Sequence, residues 1–273
     1  MNSLPEKTEG SIRYLVFDTE TTGLPDEAAG KKPHEWRESD PALWPELLQL
    51  AAEVWDVKDG VHTQVGDVFN WWINIEGEVP EIASGINGIT KAFLDGEVGH
   101  GKSGEILESA AKYFPEVKDE ILAVLNDDSI DFIVAHNMPY DEWIMRKNLQ
   151  RHGDIDSQDD LVIERNGYEM VFDTTIETKE LCRMIWDESG ELKRPRLEQL
   201  YGILFPGKTI DGAHDARPDV AATVKVIKEL HKREIFDPEF IKRIHRVWMQ
   251  DMWVDWARVD DKHKSGKGWK VVA

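Results

Sequence analysis

Tyr14-Leu15-Val16-Phe17-Asp18-Thr19-Glu20-Thr21-Thr22-Gly23-Leu24-Pro25 is the stretch that decides the fold. Its apolar, aromatic and β-branched opening predicts a buried strand. Gly23 and Pro25 break that strand after it has delivered two carboxylates. In an extended chain alternate side chains share a face, so Asp18 and Glu20 point one way and Thr19 the other. Carboxylates placed side by side at the end of a buried strand repel and lose hydration. A divalent cation between them offsets both costs. An acidic strand end without function is the competing reading of this stretch taken alone.

Working outward, Leu47–Trp55, the turn Lys58-Asp59-Gly60 and the return through Val61, Val65, Val68 and Phe69 to Ile75 predict an antiparallel meander of three strands. The segment from Pro25 to Pro45 reads as a loop or short helical insertion. Its Lys31, Lys32 and Arg37 fit a solvated loop better than a flap over substrate. A turn at Asn87-Gly88-Ile89-Thr90 precedes helices expected around Ser103–Tyr113 and Val117–Leu125. Ile130–Ala135 is the next buried strand, ending in His136-Asn137-Met138-Pro139-Tyr140-Asp141. Pro139 suits a first helical position, Asn137 a cap and Gly153 the far end, which puts Asp141 in the first turn. That is where α/β sheets place ligand-binding groups.

Asp154–Gly167 reads as an acidic loop, Met170–Asp173 as a strand and Glu177–Trp186 as a helix. A short helix follows at Arg196–Tyr201. Asp211-Gly212-Ala213-His214-Asp215-Ala216-Arg217-Pro218-Asp219 then leads into a helix with Val220, Val224 and Ile227 on one stripe. Asp237-Pro238 opens a last amphipathic helix carrying Trp248, Trp253 and Trp256, and the basic tail Lys262–Lys267 is expected to fray. The expected organisation is one domain over 12–231, a helical extension over 237–258, and polar tails at 1–11 and 259–273.

The 273 residues carry a net charge of −20. A protein that grips long duplex normally presents a basic field, so any nucleic-acid substrate here is expected to be held over a few terminal nucleotides. Eleven Trp could stack on bases, but core packing is the more ordinary role of large aromatics. No apolar run approaches the ~20 residues that span a bilayer, and the N-terminus lacks a signal-peptide pattern. The single Cys182 rules out an intramolecular disulfide and points to a cytoplasmic location.

Asp18, Glu20, Asp141 and Asp219, with His214 five positions before the last, form a chemically coherent set. Asp-Thr-Glu-Thr-Thr-Gly-Leu, His-Asn-x-x-x-Asp and His-Asp-Ala-x-x-Asp, in this order, resemble the three motifs of the DnaQ-like exonucleases, the branch with four acidic residues and a histidine. The resemblance covers roughly Ile12 to Leu230. It implies an α/β, ribonuclease H-like fold with a mixed five-stranded sheet flanked by helices. It also implies metal-dependent removal of 5′-mononucleotides from 3′ ends, with DNA, single-stranded or frayed, favoured over RNA.

The implied cofactors are two Mg²⁺ or Mn²⁺ ions. By resemblance Asp18 bridges them, Glu20 and Asp219 hold the nucleophile-side ion, and Asp141 holds the other. His214 is the implied general base. Backbone groups from Glu20 through Thr21 to Thr22 and the Thr22 side chain would bind the terminal 3′-hydroxyl, and Leu24 would wedge against the terminal base. Asn87 stands where the proofreading relatives often carry histidine, which leaves its contact with the 3′ nucleotide open. His136 and Asn137 are as consistent with a turn or cap as with substrate contact. Glu53, Asp173 and Asp215 fit no ligand position. A 3′→5′ exoribonuclease and a silent scaffold that has kept the fold are the alternatives. A polymerase, or a second copy docking on the C-terminal Trp-bearing helix, is the candidate protein partner.

Overall fold

The computed structural model describes residues 4–26, 29, 35, 38–100, 106–107, 110–153, 164–165, 168–169, 171–186, 192–243 and 269–271. The opening stretch is the strand β1 (Ile12–Thr21). It pairs antiparallel with β2 (Leu47–Lys58), which turns into β3 (Val61–Asn74). The short β4 (Lys112–Tyr113) lies parallel to the end of β3. On the other side of β1, β5 (Phe132–Ala135) and β6 (Val171–Asp173) are parallel. The sheet order is β6-β5-β1-β2-β3-β4, so the sheet has six strands where the resemblance implied five. The extra strand arises because Ile73 and Asn74 find partners in Lys112 and Tyr113.

Side-chain parity along β1 divides the core. Leu15 and Phe17 pack with α2 (Phe114–Leu125) and α3 (Met138–Arg151) in one cluster. Ile12, Tyr14 and Val16 pack with α4 (Leu197–Leu204) and α5 (Ala216–Lys232) in another. Val220, Val224 and Ile227 do form the buried stripe of α5. By the same parity Asp18 lies on the α5 side of the sheet and Thr19 on the α3 side.

Several expectations are corrected. Among the described residues of Ser103–Tyr113 there is no helix: Ile106–Leu107 pairs with Gly99–His100, and Lys112–Tyr113 is β4. Gly99, Gly101 and Gly104 weaken a helix there, and the free edge of β3 offers an alternative. The helix expected at Glu177–Trp186 is two short turns, Thr174–Glu177 and Lys179–Cys182, followed by a strand at Met184–Trp186. Arg183 breaks it with φ 47°. The basic tail Lys262–Lys267 lies outside the described residues, and beyond it Trp269–Val271 pairs antiparallel with that strand. The N-terminal lead-in is docked through an ion pair of Lys7 with Asp131 and the Pro5 carbonyl, which accepts from Arg13 Nη1 at 2.8 Å.

Of the last helix, Pro238–Arg243 is described. Trp248, Trp253 and Trp256, like Lys31, Lys32 and Arg37, lie outside the described residues. No helix among the described residues is long and apolar enough to cross a membrane.

Candidate active site

β1 is longer than β5, its parallel neighbour. Its last paired residue with β5 is Val16, opposite Val134, and β5 ends at Ala135. Asp18 and Glu20 therefore project past the carboxyl edge of the parallel strands, the usual ligand crevice of α/β sheets. A cleft of about 760 Å³ opens there, and Asp18, Thr19, Glu20, Thr21, His214 and Asp219 help to line it.

Asp219 lies in the first turn of α5 and is buried. Its Oδ2 accepts the His214 backbone N–H at 3.0 Å, while Oδ1 is buried with no hydrogen-bond partner. Donor atoms of Glu20, His214 and Asp219 all fall within 4.8 Å of one another. Asp141 arrives from the opposite face of the sheet, in the first turn of α3. Its Oδ1 accepts from the Thr19 hydroxyl at 2.6 Å and the Thr19 N–H at 3.1 Å. Thr19 thus ties the fourth carboxylate to the strand that carries the first two. It belongs to the site although its side chain points away from Asp18.

The electrostatics show a cluster of one sign. Burial pushes the Asp18 carboxyl well above its ordinary range, and the charges of Asp141, Asp219 and Glu20 add to the rise. Burial also raises Asp141 to about 7, against the lowering effect of the Thr19 hydrogen bonds, and Asp219 to about 6. The orphaned Asp219 oxygen and the neighbouring carboxylates of Asp18, Glu20 and Asp141 are hard oxygen donors of the kind that suit Mg²⁺ or Mn²⁺.

His214 sits at the cleft mouth with φ 66°, a left-handed backbone that few non-glycine residues adopt. Its Nε2 meets Glu198 Oε1 at 3.1 Å, and that hydrogen bond draws the Glu198 carboxyl down to about 2. Glu198, in the first turn of α4, was not singled out from the sequence. An acidic first helical turn is too common to draw notice on its own.

The remaining expected residues divide. Thr21, Leu24, Asn87, His136 and Asn137 line the cleft, as does Tyr140. Thr22 is not among the lining residues: its hydroxyl accepts the Glu46 N–H at 2.9 Å. Asn87 is buried, donating to the Thr21 carbonyl at 3.1 Å and accepting the Ile89 N–H at 3.0 Å. His136 has both ring nitrogens engaged, with the Thr174 hydroxyl at 2.8 Å and the Pro195 carbonyl at 3.1 Å. Burial lowers it to about 4, so it is a neutral structural donor.

Asn137 does not cap α3 with its side chain. It takes φ 74°, and its N–H donates to Asp173 Oδ1. Asp173 and Asp215 are helix caps, and Glu53 accepts from the Trp55 indole. No Trp is among the described residues lining the cleft, whereas Trp44, Trp55 and Trp143 are core.

No family model matches the chain. The chain is 25% identical over 224 residues to a DNA polymerase III PolC-type protein of Lacticaseibacillus paracasei, a match that covers 81% of this chain and 11% of that protein. It is 24% identical over 230 residues to a DNA polymerase III subunit epsilon-like protein of Rhodobacter capsulatus, covering 84% of this chain and 25% of that one. The chain therefore spans a tenth to a quarter of the length of these relatives. A solved structure of Exonuclease X with 5′-overhanging duplex DNA overlays 85% of this chain and 99% of its own at 16% identity. Its TM-score of 0.46 is too loose to bear on function. In its three ordered motifs and in these two relatives the chain is similar to the DnaQ-like exonucleases.

Proposed function

We propose that the chain is a metal-dependent 3′→5′ exonuclease that releases 5′-mononucleotides from single-stranded or frayed DNA ends. The observation that supports this reading best is convergence. Asp18, Glu20, Asp141 and Asp219 come from three separate parts of the chain, yet their charges act on one another around the end of β1.

Asp18, Glu20 and Asp219 would hold two Mg²⁺ or Mn²⁺ ions from the α5 side and Asp141 from the α3 side; when bound, the ions supply an acidified water and neutralise charge on the scissile phosphate. His214 takes the proton from the attacking water, and Glu198 beside its Nε2 stabilises the imidazolium that results. Thr19 keeps Asp141 oriented through two hydrogen bonds. Beyond Gly23, whose φ of 147° turns the chain outward, Leu24 is 73% exposed at the cleft. Ile86, 50% exposed on α1 (Glu81–Asn87), is a second apolar lining residue. Together they offer a sequence-tolerant surface for a terminal base. A cytoplasmic setting and a role beside a polymerase fit this reading.

The decisive experiment is single-turnover digestion of matched DNA and RNA oligomers with Mg²⁺ or Mn²⁺. His214→Ala should bind Mn²⁺ as the parent does and lose most turnover. Undiminished cleavage by that variant would remove the histidine from the chemistry. Cleavage of RNA alone would turn the assignment to an exoribonuclease. Failure to bind Mn²⁺ in a calorimetric titration would leave a scaffold.

A further inference from the structure

A polyanion entering this cleft meets four carboxylates on its lining, Asp18, Glu20, Asp219 and Glu198. Among the described lining residues the guanidinium groups are those of Arg194 and Arg196. They flank Pro195 in the segment that leads into α4. A residue before proline is confined to extended backbone, and Arg196 itself is extended, with φ −76° and ψ 160°. Both arginines line the cleft, one on each side of Pro195, so together they form one edge of it.

The edge is anchored from three sides. His136 Nε2 meets the Pro195 carbonyl at 3.1 Å, the Arg196 N–H donates to Gln199 Oε1 at 2.9 Å, and the Lys193 N–H donates to the Met184 carbonyl at 2.6 Å. Arg194 is buried at 6% exposure and Arg196 is exposed, which places one charge inside the wall and the other at its rim. Arginine keeps its charge on burial, and its planar fork matches the oxygens of a phosphodiester.

We propose that Arg194 and Arg196 form a two-phosphate rail that grips the sugar–phosphate backbone of a single DNA strand as it enters the cleft. The proposal rests on the exonuclease reading for the strand's presence there. It gives His136 a positioning role, since the histidine holds the carbonyl between the two arginines. It also accounts for how a chain of net charge −20 can hold a nucleic acid over a few nucleotides.

The test is fluorescence anisotropy of a phosphorothioate-terminated oligothymidine of about ten residues, within the range one binding site covers. Binding is measured against NaCl concentration, with Ca²⁺ present. Arg196→Gln should raise Kd about tenfold, as expected for loss of one charge-assisted contact. It should also flatten the log Kd–log salt slope by about 0.7, the value for one phosphate contact on a single strand. Adding Arg194→Gln should take about 0.7 more. Lys225→Gln, the same charge change on the exposed side of α5, should leave both quantities alone.

Should Arg194→Gln fail to fold, Arg196→Gln decides by itself, because its side chain is exposed. A parental Kd and slope in Arg196→Gln overturn the rail, whatever the turnover. If the parent chain cleaves nothing, yet binding weakens in Arg196→Gln as described, the rail stands and the exonuclease reading falls.

Discussion

The two ends of β1 treat buried charge in opposite ways. At its start, Arg13 is fully buried and answered on every side. Its Nε and Nη2 donate to the two Asp56 oxygens at 2.7 and 3.0 Å, and its Nη1 donates to the Pro5 carbonyl and the Ser129 hydroxyl at 2.8 and 2.9 Å. A few residues on, Asp18 shares its surroundings with Asp141, Asp219 and Glu20, all of one sign. The first arrangement is complete within the chain. The second is not, because like charges in a low-dielectric setting favour neither folding nor ionisation until a cation joins them. A self-sufficient ion pair marks structure, and an uncompensated cluster marks a place prepared for something else.

The contrast breaks first at Asp18. Asp18→Asn should cut single-turnover cleavage by about a thousandfold, as loss of a group aimed at developing charge does. The same variant should melt higher than the parent without metal, since it removes repulsion. Retained cleavage together with a lower Tm would mean that the two ends of the strand do not differ in kind.

Arg13→Ala should do the reverse. It strands Asp56 in the interior and should cost about 3–5 kcal/mol in urea unfolding. Whatever folded protein remains should cleave at the parental rate. A loss in cleavage larger than the loss in folded fraction would couple the two ends.

Metal and pH sharpen the comparison next. Asp141 and Asp219 sit at about 7 and about 6 in the folded chain, above the ordinary ~3.9 of the unfolded one. The folded state therefore keeps protons that the unfolded state has released. The stabilisation these groups give is complete below about pH 4 and lost as pH rises through 6 to 7. Mn²⁺ should raise Tm more at about pH 8 than at about pH 5. His62 and His136, both lowered to about 4, act in the other direction: their contribution is lost as pH falls from about 6.5 to 4. They act in both metal conditions and cancel in the difference. An equal Mn²⁺ increment at the two pH values would remove the carboxylates from the account.

The smallest effect is expected from Thr19→Val, which takes one of the two donors from Asp141. A stability change of about 1 kcal/mol is expected from the lost hydrogen bond. About a tenfold fall in cleavage should accompany it, of the order expected when a catalytic group is misplaced. Unchanged cleavage would show that the Thr19 backbone N–H alone orients the carboxylate.

Much of this was legible along the chain because it depends on neighbours in sequence. Alternation in β1, the Lys58-Asp59-Gly60 turn, Pro139 near the start of α3 and the buried stripe of α5 are local regularities, and each gave the element it predicts. The motifs likewise named Asp18, Glu20, Asp141, His214 and Asp219 before any coordinate was needed. What could not be read depends on partners far away. β4 exists because β3 had an unfilled edge, and the helix expected at Glu177–Trp186 gave way to a strand with a partner at Trp269–Val271.

Within the site, residue types follow from the chain itself, and their company follows from the tertiary structure. Thr22 turned to Glu46, His136 was spent on Thr174 and Pro195, and Glu198 came to His214. Thr19 and Asp141 met across 122 positions, and Gln49 and Asp215 across 166. Periodicity determines which face a side chain takes, because backbone geometry is local. Which group it meets there depends on how distant segments pack, and that is settled only when the sheet and its helices close on one another.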